Sequence, residues 1–240
     1  AMEYRYMPPV NKFIKKIHNK TIGKLKMLSI REHRFPFLKK VKNWNRFSKN
    51  TGGTLVEKCC HFFDLMRLII KSEPISVYAS GNQDVNHINE RYYNNKKPDI
   101  IDNAYVVVNF KNGVRGLLDL CMFAENSDMQ EELLAVGNKG KIETSVPSQQ
   151  SGKSSSEIRI GLRKNLKTKK QTIKVDKKIL NAGYHYGSTY YQHLSFIKAI
   201  KKKLKAEVSL QDGLVSVAIG EAAEKSIKEK RLVYLKEIVN

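Results

Sequence analysis

Along this chain the spacing of apolar residues switches from helix-like to strand-like and back, and the switches mark out its elements. From Pro9 to about Lys20 the apolar residues Val10, Phe13, Ile14 and Ile17 fall on one helical face, and the opening turn tolerates proline. Lys24 to Arg34 alternates Leu25, Met27 and Ser29 with polar neighbours and predicts a strand. Phe35 to Lys49 reads as a loop, pinned by Pro36 and Trp44, that leads into a helix from about Gly53 to Lys71. Pro74 breaks the chain before a strand at Ile75 to Ser80. The asparagine-rich stretch Asp84 to Pro98 predicts an exposed loop carrying a solvated His87.

From Ile101 the alternation becomes strand-like and stays so. Ala104 to Phe110 and Val114 to Phe123 flank Lys111-Asn112-Gly113, where Asn-Gly suits a tight hairpin because both residues tolerate positive φ. Glu131 to Val136 with Lys141 to Ser145, and Glu157 to Leu162 with Gln171 to Val175, predict four more strands. Pro147 to Ser156 is a Ser/Gly/Gln-rich excursion. Helices at about Ser188 to Lys203 and Leu210 to Lys228 and a short strand at Leu232 to Leu235 complete the pattern. Helices around a run of antiparallel strands indicate an α+β fold, with one large open, mostly antiparallel sheet and helices packed on one face. Val106, Val108, Leu118 and Leu120 supply an apolar sheet face. An uncovered apolar face is an aggregation hazard, which predicts a homodimer or tetramer through the sheet.

The chemistry concentrates where a glycine pair opens an apolar run, Gly52-Gly53-Thr54-Leu55-Val56-Glu57-Lys58-Cys59-Cys60-His61-Phe62-Phe63-Asp64-Leu65-Met66-Arg67. On a continuous helix Glu57, His61 and Asp64 project from one face. A histidine titrates near neutrality, and a carboxylate one turn away can fix its tautomer, so His61 is the candidate general base and Glu57 its orienter. Two other readings suit the same residues. His61 can be a core histidine bonded to a backbone carbonyl, with Asp64 paired to Arg67; or Glu57, His61 and Asp64 can ligate a divalent ion, although no metal is expected.

Charge and composition narrow the remaining classes. The chain has 240 residues, 41% of them hydrophobic, enough for one domain spanning 1–240 with a sizeable core. No apolar run approaches the roughly 20 residues of a membrane helix and no signal peptide pattern appears, which predicts a cytoplasmic protein without a membrane partner. The adjacent Cys59 and Cys60, with Cys121, match neither a metal-ligand spacing nor a disulfide framework and suit a reducing compartment. A formal charge of +21 invites a nucleic-acid reading through the lysine runs at Lys12 to Lys20, Lys164 to Lys178 and Lys198 to Lys205. Against it, 34 of the 44 basic residues are lysine and no recognition module interleaves aromatics with arginines, so nucleic acid is not the expected partner.

The glycine pair, a carboxylate four before a histidine and His-x-x-Asp-Leu-x-Arg together resemble the C-terminal domain of the glucose-fructose oxidoreductase and inositol dehydrogenase family (Gfo/Idh/MocA). Arg5-Tyr6-Met7-Pro8-Pro9-Val10 resembles that family's entry into its second domain, Thr21-Ile22-Gly23-Lys24 its next turn into a strand, and Trp44-Asn45 the approach to the glycines. His185-Tyr186-Gly187-Ser188-Thr189-Tyr190, Asp212-Gly213-Leu214 and Ala222-Ala223-Glu224-Lys225-Ser226 resemble its closing helices. The resemblance implies that His61 acts as general base at a hydroxyl under oxidation and that Asp64 is a structural partner. Many members carry Asp where this chain has Glu57. The family's Glu-Lys-Pro lysine has no counterpart here, and Lys58, which precedes Cys59, is not that lysine.

The resemblance further implies the substrate-binding and oligomerisation domain of an NAD(P)-dependent oxidoreductase acting on a sugar, inositol or related polyol, with NAD or NADP bound by the full-length family. No Gly-x-Gly-x-x-Gly occurs, so this chain alone is expected to bind no dinucleotide and to be inactive; Gly137-Asn138-Lys139-Gly140 reads as a hairpin turn. Ala1-Met2 suits either a remnant before the start of a naturally short reading frame or the edge of a cut piece. Arg5, Tyr6, Trp44, Asn45, His185 and Tyr186 are the candidate substrate-binding residues, because their polar tips suit an array of hydroxyls; His33 and Arg34, at a strand end, can join them. The alternative function is a non-catalytic assembly or ligand-binding module from a truncated gene.

Overall fold

A computed structural model of the chain describes residues 2–239; Ala1, half of the Ala1-Met2 start, lies outside them. A 3-10 turn at Glu3–Tyr6 leads into α1 (Pro8–His18), whose first two positions are prolines that lack only N–H groups a helix leaves unpaired there. β1 (Leu25–His33) follows, then a kinked 3-10 segment at Val41–Arg46 and three helices, α2 (Ser48–Thr51), α3 (Thr54–Glu57) and α4 (Cys60–Ile70). β2 (Pro74–Asn82), β3 (Asn103–Phe110), β4 (Arg115–Cys121), β5 (Met129–Gly137), β6 (Gly140–Pro147), β7 (Ser155–Leu162) and β8 (Lys169–Lys174) come next. α5 (Lys177–Asn181), α6 (Ser188–Lys201), α7 (Leu210–Glu229) and β9 (Val233–Tyr234) complete the order.

Among the described residues nine strands form one sheet, ordered β8-β7-β6-β5-β1-β4-β3-β2-β9. Neighbours are antiparallel except β1 and β4, which run parallel. The expected α+β class and open sheet are both present. Strand alternation sends Leu28, Ile30 and Glu32 of β1, Leu118 and Leu120 of β4, and Val106 and Val108 of β3 into the helix-covered core. The opposite face is mixed: Met27 and Tyr105 are exposed, yet Arg31 pairs with Glu132, and His33 Nε2 lies 3.0 Å from Asp119. Val106, Val108, Leu118 and Leu120 therefore belong to the covered side, and the free face is only partly apolar.

α4 packs its row of Phe62, Phe63, Leu65, Met66, Ile69 and Ile70 inward. Gly116 admits it closely, since a Cβ there would come within 2.8 Å of the Met66 sulfur. α7 begins with a capping box in which Ser209 and Asp212 exchange backbone and side-chain bonds. At Gly53 packing as well as φ demands a glycine. Its φ of +97° is left-handed, and a Cβ would lie 2.3 Å from the Glu224 carboxylate that accepts the Leu55 N–H at 2.9 Å.

The structure breaks the expected single helix of Gly53 to Lys71 at Lys58 and Cys59. The N–H groups of both bond back to the Thr54 carbonyl, and α4 starts afresh with Phe62 and Phe63 bonding to the Cys59 carbonyl. Lys58 is 7% exposed at this corner, among polar groups contributed by other elements. His87 also departs from expectation: it is half-buried and lies 3.0 Å from Glu90.

Candidate functional site

The site is assembled on the ring of Tyr4, in the first 3-10 turn. Tyr4 is 1% exposed; the His61 imidazole stacks on it at 4.8 Å with planes 15° apart, and the His185 ring approaches it at 5.0 Å, tilted by 49°. The second residue of α4 thus meets the turn before α6 across one phenol. That turn is strained: His185, Tyr186 and Gly187 have φ of 57°, 53° and 82°, a run of left-handed conformation unusual for side-chain-bearing residues. Glu3 secures it, taking bonds from Ser188 and Thr189 at 3.3 and 3.1 Å and lying 3.4 Å from His185 Nε2.

A buried charge cluster lies beside the ring stack. Lys58 Nζ donates to the Tyr4 hydroxyl and lies 3.0 Å from Glu32 Oε1. Arg34 Nη1 reaches the same oxygen at 3.4 Å. Glu131 stands directly opposite Glu32 in the β1–β5 ladder, and both are buried, so two carboxyls share one desolvated spot. Burial and the charge of Glu32 push Glu131 up to about 7, with Lys58 and Arg34 opposing. Burial, with Glu32 adding to it, also carries the Tyr4 phenol well above its usual value.

The two histidines respond in the opposite sense. Burial first, then the Lys58 cation, then His185, press His61 down to about 3. Burial, Lys58 and Arg34 press His185 to about 3 as well. Both rings are neutral at ordinary pH. His61 Nδ1 is buried without a hydrogen-bond partner among the described residues.

The orienting role expected of Glu57 is not what the structure gives. With the helix broken, its carboxylate lies 3.1 Å from Lys40 Nζ, which also sits 5.1 Å from the Trp44 ring centroid. Asp64 pairs with Arg5, not with Arg67; Arg67 goes to Glu73 and Asp212. Arg5 is buried, donating through Nε to Asp64 at 3.0 Å and through Nη1 to the Glu207 carbonyl at 2.9 Å, which ties the first turn to the segment before α7. Asn45 is fully buried and donates to the Leu38 carbonyl at 3.1 Å, holding the loop after β1. Trp44 is 38% exposed on that loop. His33 turns to Asp119 on the open sheet face.

Two cavities receive candidate residues. One of about 470 Å³ is lined by Arg34, Phe35, Glu131, Tyr184, His185 and Tyr186 among others, and joins the ring stack through His185. Tyr186 packs against the core with its hydroxyl buried and unpartnered. The other, of about 510 Å³, lies between α6 and α7, lined by Tyr6, Phe196, Ala199, Val208 and Leu214 among others. Of the six expected substrate contacts, the structure brings His185 and Tyr186 to the first cavity and Tyr6 to the second. Sequence reading passed over Tyr4, Glu32 and Glu131, and set Lys58 aside as not the family's lysine. A lysine inside an apolar helix run was their one visible signal.

No Gly-x-Gly-x-x-Gly occurs along the chain. The nearest glycine cluster closes the β5–β6 hairpin, Gly137 pairing with Gly140, and a Cβ at Gly137 would strike the Ile22 carbonyl at 2.2 Å. Among the described residues no group of three or more His, Cys, Asp or Glu is placed to hold a metal ion, and no helix is long and apolar enough to cross a membrane.

Residues 14–235 match the C-terminal alpha/beta domain of an oxidoreductase family, Gfo/Idh/MocA. Myo-inositol 2-dehydrogenase of Thermotoga maritima is 28% identical over 232 residues, covering 93% of this chain and 60% of that protein. Among solved structures, levoglucosan dehydrogenase in complex with NADH and levoglucosan superposes with a TM-score of 0.77 at 20% identity, over 98% of this chain and 65% of the other. A probable dehydrogenase of Thermotoga maritima gives 0.74 at 24% identity, over 99% and 65%. The chain thus spans about 60% of the length of its curated relative.

Proposed function

The chain belongs to the Gfo/Idh/MocA oxidoreductase family as its C-terminal alpha/beta domain, and from that premise we propose that it is the substrate-binding and oligomerisation domain of an NAD(P)-dependent enzyme acting on a sugar, inositol or related polyol. The observation that carries this reading is the neutral His61 ring, stacked on Tyr4 beside His185, with His185 lining a cavity of about 470 Å³ that His61 itself reaches only through that stack. That volume suits a small polyol. A neutral imidazole accepts a hydrogen bond from a hydroxyl, and His185 with Tyr186 offers further polar contacts to its neighbours on the same ring.

The low proton affinity of His61 is compatible with the role of base. As the carbinol carbon is oxidised its oxygen becomes that of a protonated carbonyl, a far stronger acid than an imidazolium of pKa about 3, and the O–H proton passes to the ring. NAD(P), in this reading, supplies the hydride acceptor from outside the described residues. The chain alone is then inactive and binds no dinucleotide, and it assembles as a dimer or tetramer through the open sheet face.

Saturation-transfer NMR with myo-inositol, glucose and cyclohexanol tests the reading. The expected result is contact with the two polyols and none with cyclohexanol, lost in His61→Ala. Equal response to all three, or no dependence on His61, contradicts it.

A further inference from the structure

Among the described residues Lys58 is the buried cation whose amine lies over the Tyr4 ring and bonds its hydroxyl, and the catalytic reading gives it no task. It leaves the corner between α3 and α4, donates to the Tyr4 hydroxyl and reaches Glu32 at 3.0 Å. Tyr4 in turn carries His61 on its ring and contacts His185. His61 has no carboxylate partner among the described residues, since Glu57 is taken by Lys40, whereas His185 has Glu3 3.4 Å from its Nε2. The orientation of His61 therefore depends on the phenol, and the phenol's hydroxyl on Lys58.

We propose that Lys58, anchored by Glu32, is the positioning residue of the polyol site, setting the Tyr4 ring on which His61 and His185 rest. This rests on the substrate-binding reading above. The helix break gains a purpose. On a continuous helix Lys58 would point about 100° away from Glu57 with no reason to turn inward, whereas the corner at Lys58-Cys59 delivers its amine to Glu32 and Tyr4. The cluster explains itself electrostatically too. Glu32 takes both Lys58 and Arg34, and the facing Glu131, buried beside that charge, is raised to about 7. After burial, Lys58 is the next cause that lowers both rings. The groups facing His61 are Lys58, His185 and the Tyr4 phenol; Arg34 and Glu3 face His185.

The test reads the histidine rings directly. Imidazole NMR spectra are recorded for the wild-type chain, for Lys58→Met/Glu32→Gln, which removes both charges together and leaves neither stranded, and for Tyr4→Phe, which keeps the ring and deletes only the acceptor. The ring-current shift of the His61 protons on Tyr4 should fall by at least about half in the double variant and move measurably in Tyr4→Phe, and the His61 titration midpoint should rise by about one pH unit once the cation is gone. The myo-inositol Kd should weaken about tenfold, and Lys58→Arg, which retains a cation beside Glu32, should hold the wild-type ring shift. Tyr4→Phe keeps the test decisive where the double variant does not fold. Unchanged His61 and His185 shifts in a folded variant overturn the proposal. If the wild type binds no myo-inositol yet the ring shift collapses, the positioning stands and the polyol reading falls; if it binds and the ring shift is unmoved, the reverse holds.

Discussion

Tyr4 and Tyr6 stand two residues apart in one 3-10 turn and meet unlike surroundings. Tyr4 is buried among Lys58, His61, Phe62 and His185, in contact with charge on one side and stacked rings on another. Tyr6 lines the apolar cavity between α6 and α7, where burial and its bond to Glu207 push its hydroxyl up to about 12. A 3-10 turn advances about 120° per residue, so side chains two apart leave on different sides. The polar tip of a tyrosine does not say which side of its backbone holds the site; the periodicity of the turn does.

The sharpest test of that contrast is stability. Tyr4→Ala removes a fully buried aromatic and should lower the unfolding free energy by about 4 kcal/mol in a denaturant titration, whereas Tyr6→Ala, at a half-open cavity, should cost about 1 kcal/mol. Equal losses would erase the distinction. Affinity should separate them the other way round from size: His185→Ala is expected to weaken myo-inositol binding about tenfold, while Tyr6→Phe leaves it within about twofold, by calorimetry.

The acid response separates the histidine side from the carboxyl side of the Tyr4 cluster. His61 and His185 lie below their ordinary 6.5, so the unfolded chain binds more protons as pH falls and stability drops with it. Glu131 and Glu224, raised from 4.5 to about 7, bind more protons in the folded chain and stabilise it as pH falls through that range. Two groups against two should leave a shallow dependence between about pH 4.5 and 6.5. Below 4.5 Glu131 and Glu224 are protonated in both states, while the histidines still favour unfolding and carboxylates held down in the fold, Glu237 at about 2 beside Arg231 among them, add to it, so stability should fall steeply toward pH 3. His61→Gln/His185→Gln should flatten that acid arm in pH-dependent thermal melts; an unchanged arm would place its cause elsewhere.

A smaller effect concerns the loop after β1. Lys40→Ala frees Glu57 and bares one side of Trp44, both near the surface, and should cost no more than about 1 kcal/mol by the same denaturant titration. A larger loss would restore Glu57 to the centre of the site.

The strands were legible because alternation survives on a sheet with one covered face: Ala104 to Phe110 and Glu131 to Val136 fall within the observed β3 and β5. The helix break was not legible, since the stretch from Leu55 to Met66 carries no glycine or proline and its apolar residues run on past the corner at Lys58 and Cys59. Nor was the cluster beneath the site, because Glu32 and Glu131 meet only through the register of β1 on β5, a long-range pairing. His61 and His185 stood out in the sequence, but their common support, Tyr4, carried no signal of its own. Arg5 stood out too, and proved to be bound to Asp64 and the Glu207 carbonyl.

The central claim is that the Tyr4 side, with its paired imidazoles, is where a polyol binds. Side-chain NMR of His61, His185 and Tyr6 during a titration with myo-inositol tests it most directly. The account predicts saturable shifts of both imidazoles with Tyr6 unmoved. Shifts confined to Tyr6 and the α6–α7 cavity, or none at either histidine, would contradict it.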